Sequence, residues 1–302
     1  MRYLSFSSHL KQVFGRKVIR IPVDAGFTCP NRDGKKGTGG CIYCNNLAFT
    51  GKTADRNLPV EEQVKRAIKD RDGLFLVYFQ PYTNTYSSPS FLERIFTDVL
   101  KIKNVVGIAI GTRPDCIDDD VLKVIEKLNR LTYLWVEVGL QSASDKTLEL
   151  INRGHTVKDF IECVEKLKRI GVKTCAHIII GLPGENREDF LRTGALLSEL
   201  RVEGVKFHNI QVLKDTKLEE IYKKGAFKPI ELEEYVRTVV DILEVLPEST
   251  VIHRLAGEAD PKWLVAPDWA FSKWKILSEI RKELERRDTW QGKKFDALHT
   301  FI

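Results

Sequence analysis

Six short apolar runs rich in β-branched residues, at 18–23, 74–80, 105–111, 133–140, 174–181 and 205–212, alternate with amphipathic stretches at 59–70, 90–101, 118–128, 157–170, 187–200 and 231–245. A seventh run at 251–255 extends or closes the set. Alternation of this kind predicts an α/β fold, a parallel sheet covered by helices. Crossovers between parallel strands are right-handed, so six such strands curl into a barrel or part of one. Chemistry in such folds gathers at the C-terminal ends of the strands. In this chain the polar and Gly-rich segments follow the strands and do not precede them. Residues 1–215 are expected to form the barrel core, and 216–302 a strand and helix extension packed on it. The tail segment FSKWKILSEIRKELERR reads as a surface helix seating Trp274, Leu277 and Ile280 on the barrel.

The balance of residues narrows the class further. The 302 residues are 43% hydrophobic and 30% charged, which excludes a wholly disordered chain. No apolar stretch approaches the ~20 residues of a membrane-spanning helix, and the N-terminus is too polar for a signal peptide. Six cysteines are too few for a disulfide scaffold. The expectation is a cytoplasmic protein with reduced, buried or metal-bound thiols. A net charge of +6 permits an anionic partner without demanding one.

Directly after the first strand the chain reads DAGFTCPNRDGKKGTGGCIYCNN. Cys29, Cys41 and Cys44 are separated by eleven and two residues, and Gly34, Gly37, Gly39 and Gly40 between them let backbone bend close to a bulky inorganic body. Thiolates are the ligands of iron–sulfur clusters. Three thiolates leave a four-iron cube with one iron free to take an amine and a carboxylate from a small molecule. A structural zinc site would want a fourth Cys or His at motif spacing. A redox C-x-x-C pair would leave Cys29 unexplained.

With these motifs the chain resembles the radical S-adenosylmethionine (SAM) superfamily, over roughly residues 20–213. Within it the chain is most similar to the YhcC-like bacterial proteins, relatives of the elongator catalytic subunit and of oxygen-independent coproporphyrinogen oxidase. The resemblance implies a partial (β/α)6 TIM-like barrel with a C-terminal helical extension. It implies a [4Fe–4S] cluster on Cys29, Cys41 and Cys44, with SAM chelating the open iron. Reductive cleavage of SAM would then yield a 5′-deoxyadenosyl radical that abstracts hydrogen from a substrate. Tyr43 matches an aromatic position near the adenine. After the second strand, FQPYTNTYSS replaces the usual Gly-Gly-Glu-like turn, so Gln80, Thr83 and Asn84 are positional substitutes for contacts to the methionine amine. Relatives often carry a glutamate where Gly111 stands, for ribose contact, and Arg113 and Asp115 remain nearby. In VEVGLQS, Glu137 and Gln141 are candidates for the ribose, although a buried acid in mid-strand also implies ion-pair partners. In LINRGHT, Arg153 matches a SAM-carboxylate position, and His155 either meets substrate or caps the loop. The GLPG turn brings Gly181 to the adenine, and His177 stands where relatives often place an acid.

Substrate-side candidates are Cys116, His208 and Gln211, and the segment HRLAGEAD adds a polar wall around His253, Arg254 and Glu258. Cys163 and Cys175 read as core residues. An electron donor such as flavodoxin or ferredoxin is implied as a partner. Kinship with the elongator-type enzymes points to tRNA, with a wobble-uridine side chain as the target. Lys35, Lys36, Lys275, Arg281, Arg286 and Arg287 are available to phosphates. The alternatives are a small-metabolite or peptide substrate, or a non-catalytic zinc or cluster module that binds RNA.

Overall fold

The computed structural model describes residues 2–49 and 53–296. The chain opens with helix α1 (Phe6–Phe14) and strand β1 (Val18–Val23). Then follow α2 (Val60–Ile68), β2 (Leu74–Phe79), α3 (Pro89–Asp98), β3 (Val105–Thr112), α4 (Asp119–Leu131) and β4 (Tyr133–Gln141). The second half runs α5 (Asp145–Leu150), α6 (Val157–Arg169), β5 (Lys173–Ile180), α7 (Arg187–Glu199), β6 (Gly204–Asn209), β7 (Val212–Leu213) and α8 (Lys217–Lys223). It closes with α9 (Leu232–Val245), β8 (Val251–Arg254), β9 (Leu264–Ala266) and α10 (Lys273–Arg286).

Seven strands form one parallel sheet in the order β1-β2-β3-β4-β5-β6-β8. This is the partial barrel the alternation predicts, and the run at 251–255 extends it as β8. Side-chain caps start the covering helices where the chain leaves the sheet. Asp118 accepts from the Val121 N–H at the head of α4, and Thr156–Asp159 and Asn186–Asp189 form reciprocal capping boxes on α6 and α7. The main core lies between these helices and the outer sheet face, where Val77, Ile108, Val136 and Ile178 are buried.

The alternate residues point inward. At the N-terminal end of the strands Leu76, Ala109, Trp135 and Cys175 pack with Phe6 and Leu10 of α1. Helix α1 touches both edge strands, β1 and β8, and Ser5 bridges to Ile252, so an element the apolar pattern does not announce plugs this end. One step further along each strand, Tyr78, Glu137, His177 and Lys206 face a cavity.

Two expectations need correction. The run at 205–212 is not one strand. It breaks after Asn209, and Val212–Leu213 turns away to pair antiparallel with Leu264–Ala266. On α10 the buried stripe is Ile276, Ile280 and Leu284, at helical i, i+4 spacing, whereas Trp274 is 83% exposed.

Candidate functional site

The cysteine loop between β1 and α2 is held by backbone and amide contacts. Asn31 is fully buried and donates from Nδ2 to the Asn152 carbonyl at 2.6 Å, with Cys41 Sγ 3.8 Å away. A Cβ on Gly37 would stand 2.2 Å from Asn31 Oδ1, so this close approach requires glycine. Asn152 in turn donates to the carbonyls of Thr38 and Gly40, and the Ile42 N–H bonds Ile151. The loop is thereby stitched to the turn after α5. Arg32 Nη2 donates to the Cys44 carbonyl at 2.6 Å. Cys29, Cys41 and Cys44 all line one cavity of about 220 Å³ at the C-terminal ends of the strands. Burial pushes the Cys44 thiol up, with Cys41 adding and Arg32 opposing.

Arg153 enters the same cavity from the turn before α6. Its Nη1 lies 3.8 Å from Cys41 Sγ, Nη2 donates to the Gly139 carbonyl at 3.0 Å, and Nε donates to His155 Nε2 at 2.9 Å. A Cβ on Gly139 would fall 2.6 Å from Arg153 Nη2 and 2.5 Å from Gln141 Nε2. Glycine there, in a strand that bulges between Gly139 and Gln141, makes room for both side chains. Burial opposes the charge of Arg153, but neighbouring Cys41 and Tyr43 raise its pKa above the ordinary guanidinium value. Arg113, 2% exposed, grips Asp115 through two hydrogen bonds of 2.9 Å and donates to the Arg153 carbonyl. Burial works against the Asp115 anion, yet Arg113 and Lys36 hold it at about 2.

The cavity floor is a buried charge cluster centred on Glu137, 1% exposed. Its Oε2 accepts from Lys206 Nζ and His177 Nε2, each at 2.7 Å, and its Oε1 faces His253 Nδ1 at 3.2 Å and Arg20 Nη1 at 3.6 Å. Burial disfavours the carboxylate, but Lys206, His177 and His253 together hold it well below the usual range. Lys206 also donates to the Tyr78 hydroxyl at 2.7 Å. Burial, aided by Arg20 and Arg254 and opposed by Glu137, lowers Lys206 to about 7. His177 and His253 are brought to about 4 by burial, against the pull of Glu137, and stay neutral near pH 7.

Among the described residues, no three His, Cys, Asp or Glu side chains are grouped to hold a single metal ion. The ligands of a four-iron cube each bind a different iron and need not converge on one point. With the N–H groups of Asn31 and Arg153 directed at Cys41, the all-thiol donor set suits such a cube.

A model of the radical SAM superfamily matches residues 32–197, and a radical SAM C-terminal domain model matches residues 202–286. The chain belongs to the radical SAM superfamily. It is 39% identical to YtqA of Bacillus subtilis over 98% of this chain and 94% of that protein. It is 34% identical to YhcC of Escherichia coli K12 over 92% of this chain and 91% of the relative. A partial match, 31% identical over 47% of this chain and 26% of the other, is to the tRNA uridine(34) acetyltransferase of Methanocaldococcus jannaschii. The solved structure of Methanocaldococcus infernus Elp3 superimposes with a TM-score of 0.69 at 19% identity, covering 91% of this chain and 64% of that one, and shows the same fold. The protein is a radical SAM enzyme, and the family implies a [4Fe–4S] cluster and SAM.

For this radical SAM chain the structure gathers most of the residues singled out from sequence. Tyr43, Gln80, Thr83, Glu137, Gln141, Arg153, His177, His208 and Gln211 line the cavity with the three cysteines. Asn84, Gly181, Cys116 and His155 stand outside its lining, as do His253 and Glu258. Asn84 turns inward, its Nδ2 bracing the carbonyls of Phe79, Pro81 and Gly111. Gly181 packs against Ile230, 2.7 Å from where its Cβ would be. Cys116 lies beside Asp115, and burial with that carboxylate pushes its thiol up to about 12, far from a reactive thiolate. His155 does not reach outward but is buried in its own turn, where it accepts from Arg153 and bonds the Thr156 carbonyl through Nδ1, as the loop-capping alternative has it. Lys206 and Arg20 were not distinguished by sequence. Lys and Arg inside apolar strand runs were the available signal, since a buried charge needs a partner. Among the described residues no helix is long and apolar enough to cross a membrane.

Proposed function

We propose that this enzyme holds a [4Fe–4S] cluster on Cys29, Cys41 and Cys44, binds SAM above it, and acts on a substituent of a uridine in tRNA. The single observation that carries the reading is the cradle. Three thiols line the same cavity as a set of buried polar side chains, with Arg153 seated between them. When bound, the cluster and SAM supply a 5′-deoxyadenosyl radical capable of hydrogen abstraction. The protein's own residues orient and exclude. Arg153 places positive charge beside Cys41 and offers the remaining N–H of its fork to a carboxylate. Gln80, fixed by its bond to the Phe49 carbonyl at 2.9 Å, turns a carbonyl oxygen toward an ammonium. The apolar walls of Ile179, Ile210 and Leu213 keep water from a reactive carbon centre.

The tRNA part rests on the partial match to a tRNA uridine(34) acetyltransferase, together with a basic chain. A small reducing protein such as flavodoxin or ferredoxin would deliver the electron. The test is anaerobic reconstitution followed by absorbance near ~400 nm, then release of 5′-deoxyadenosine with dithionite and SAM. Comparing tRNA nucleosides from a deletion strain and its parent decides the substrate. An unchanged profile removes tRNA and leaves a metabolite or peptide.

A further inference from the structure

Beyond the last residue of β6 the cavity carries polar groups that nothing in the protein uses. Gln211 is 4% exposed, and both its Nε2 and its Oε1 lack a partner. Asn209 is also 4% exposed. Its Oδ1 accepts the Gly257 N–H at 2.9 Å, which fixes the amide and leaves Nδ2 a free donor. His208 Nε2 is buried and unpartnered as well. These side chains converge on one spot. A Cβ at Gly257 would lie 3.3 Å from Gln211 Nε2, 3.4 Å from Asn209 Oδ1 and 3.4 Å from His208 Nδ1. Gly257 thus keeps open a gap between the polar groups, and all four residues line the cavity that holds the cysteines.

Buried amide groups left unpaired cost about 1–3 kcal/mol each. A native fold that tolerates this at a cavity wall has the arrangement expected of a ligand site. Asn209 Nδ2 and the Gln211 amide together present two donors and one acceptor. A complementary edge carries two acceptors and one donor. The imide of uracil, a ring N–H between two carbonyls, is such an edge, and it is the base the uridine reading above supplies. Ile210 and Leu213, which flank the amides in the chain, offer apolar surface to the ring faces.

We propose that Asn209, Gln211 and the gap at Gly257 form the base-reading subsite of this enzyme, selecting the imide edge of a uracil in its substrate. This rests on the uridine reading above and names the residues that would enforce it. The Gln211 amide takes the ring N–H on its oxygen and donates to one carbonyl, while Asn209 donates to the other.

The experiment uses the full chain, cluster-reconstituted, with SAM present. The probes are three single-stranded RNA heptamers, identical except for a central uridine, 3-methyluridine or cytidine. The expected result is that the uridine heptamer binds at least about tenfold tighter than either other, the loss of one bidentate contact. Gln211→Leu should abolish that preference, and Gln211→Glu, whose carboxylate accepts but cannot donate, should reduce it. Gly257→Ala fills the gap with a single methyl group and should do the same, giving a second route should Gln211→Leu fold poorly. SAM affinity should stay within about twofold in all three variants. Equal affinity for the three heptamers, or no binding of the uridine heptamer, overturns the proposal. So does a parallel loss of SAM affinity in the variants, which would assign these amides to the adenine of SAM. Release of 5′-deoxyadenosine in the same preparation keeps the two readings apart. If it persists while uridine preference is absent, only the subsite fails. If no iron is retained, the enzyme reading fails, whatever the heptamers show.

Discussion

The rim of the cavity and its floor solve opposite electrostatic problems. On the floor the buried carboxylate is held on both oxygens: Glu137 is surrounded by Lys206, His177, His253 and Arg20 at 2.7 to 3.6 Å. At the rim the backbone is tightly hydrogen-bonded, but the functional atoms are not consumed. The thiols of Cys29, Cys41 and Cys44 form no disulfide, Cys41 Sγ taking only long 3.8 Å contacts from Asn31 and Arg153, and the Gln211 amide has no partner. A carboxylate so held resists change and stiffens the barrel. An unsaturated set of donors on a fixed frame is prepared to take a ligand without first breaking internal bonds.

The largest effect should come from breaking the rim. Cys41→Ala should lower bound iron after anaerobic reconstitution by at least about tenfold, with 5′-deoxyadenosine formation lost in step. The thermal unfolding midpoint of the apo protein should shift by no more than a few degrees, because the thiol carries little of the fold. Iron retained at wild-type level would remove Cys41 from the ligand set.

Breaking the floor should do the reverse. Glu137→Gln leaves Lys206 buried, 2% exposed, without its counter-charge. The expected loss is about 3–5 kcal/mol of unfolding free energy, read by chemical denaturation. The double variant Glu137→Gln with Lys206→Met should lose less than the two single changes added together, since it removes both charges. Additive losses would show that the pair is not coupled.

These two predictions also mark what could be read from the chain. The sheet was legible because each β-branched run is short and bounded by polar turns. Glu137 was legible as an acid in mid-strand that needs partners. Its partners were not, because they stand on β1, β5, β6 and β8, and only the curl of the sheet brings them together. The cysteine loop announced itself through local spacing. Trp274 was misplaced because helix phase, not hydrophobicity, decides burial. Two residues from Ile276 is a rotation of roughly 200°, which takes it off the buried stripe. Gly181 and Asn84 sat on motif-like turns, yet their packing directs them away from the cavity.

The floor also predicts how stability depends on pH. An unfolded histidine takes a proton near about 6.5, whereas His177 and His253 hold out to about 4. Between those values the unfolded chain binds more protons than the folded one. Stability should therefore fall as pH falls from about 6.5 to about 4, by roughly 1–3 kcal/mol per pH unit for the two groups. Glu137, held well below the usual carboxylate range, extends the loss in the same direction at lower pH. His155, brought to about 3, and His208, lowered by burial, add to the loss, while Glu185, raised to about 7 by burial, opposes it, so the slope is the sum of these buried groups. Denaturation midpoints across the range should show it, and His253→Asn should flatten the slope in part. A flat profile in the parent protein would mean that the histidines are not held neutral.

The smallest effect falls on the residue that joins rim to interior. Arg153 spends Nε on His155 and Nη2 on the Gly139 carbonyl, which leaves Nη1 beside Cys41. Arg153→Met should leave the cluster iron in place and weaken SAM binding by about 1–3 kcal/mol, measured by equilibrium dialysis on the reconstituted protein. Gly139→Ala offers an independent approach without touching the guanidinium. The new methyl would stand 2.6 Å from Nη2, so the side chain must swing off its carbonyl anchor. If positioning of Arg153 is what SAM feels, the two variants should weaken binding by similar amounts. If Gly139→Ala leaves SAM affinity intact while Arg153→Met lowers it, charge alone suffices and the anchored geometry is not required. If neither changes it, Arg153 serves the loop and the thiol of Cys41, and SAM is held by other side chains of the rim.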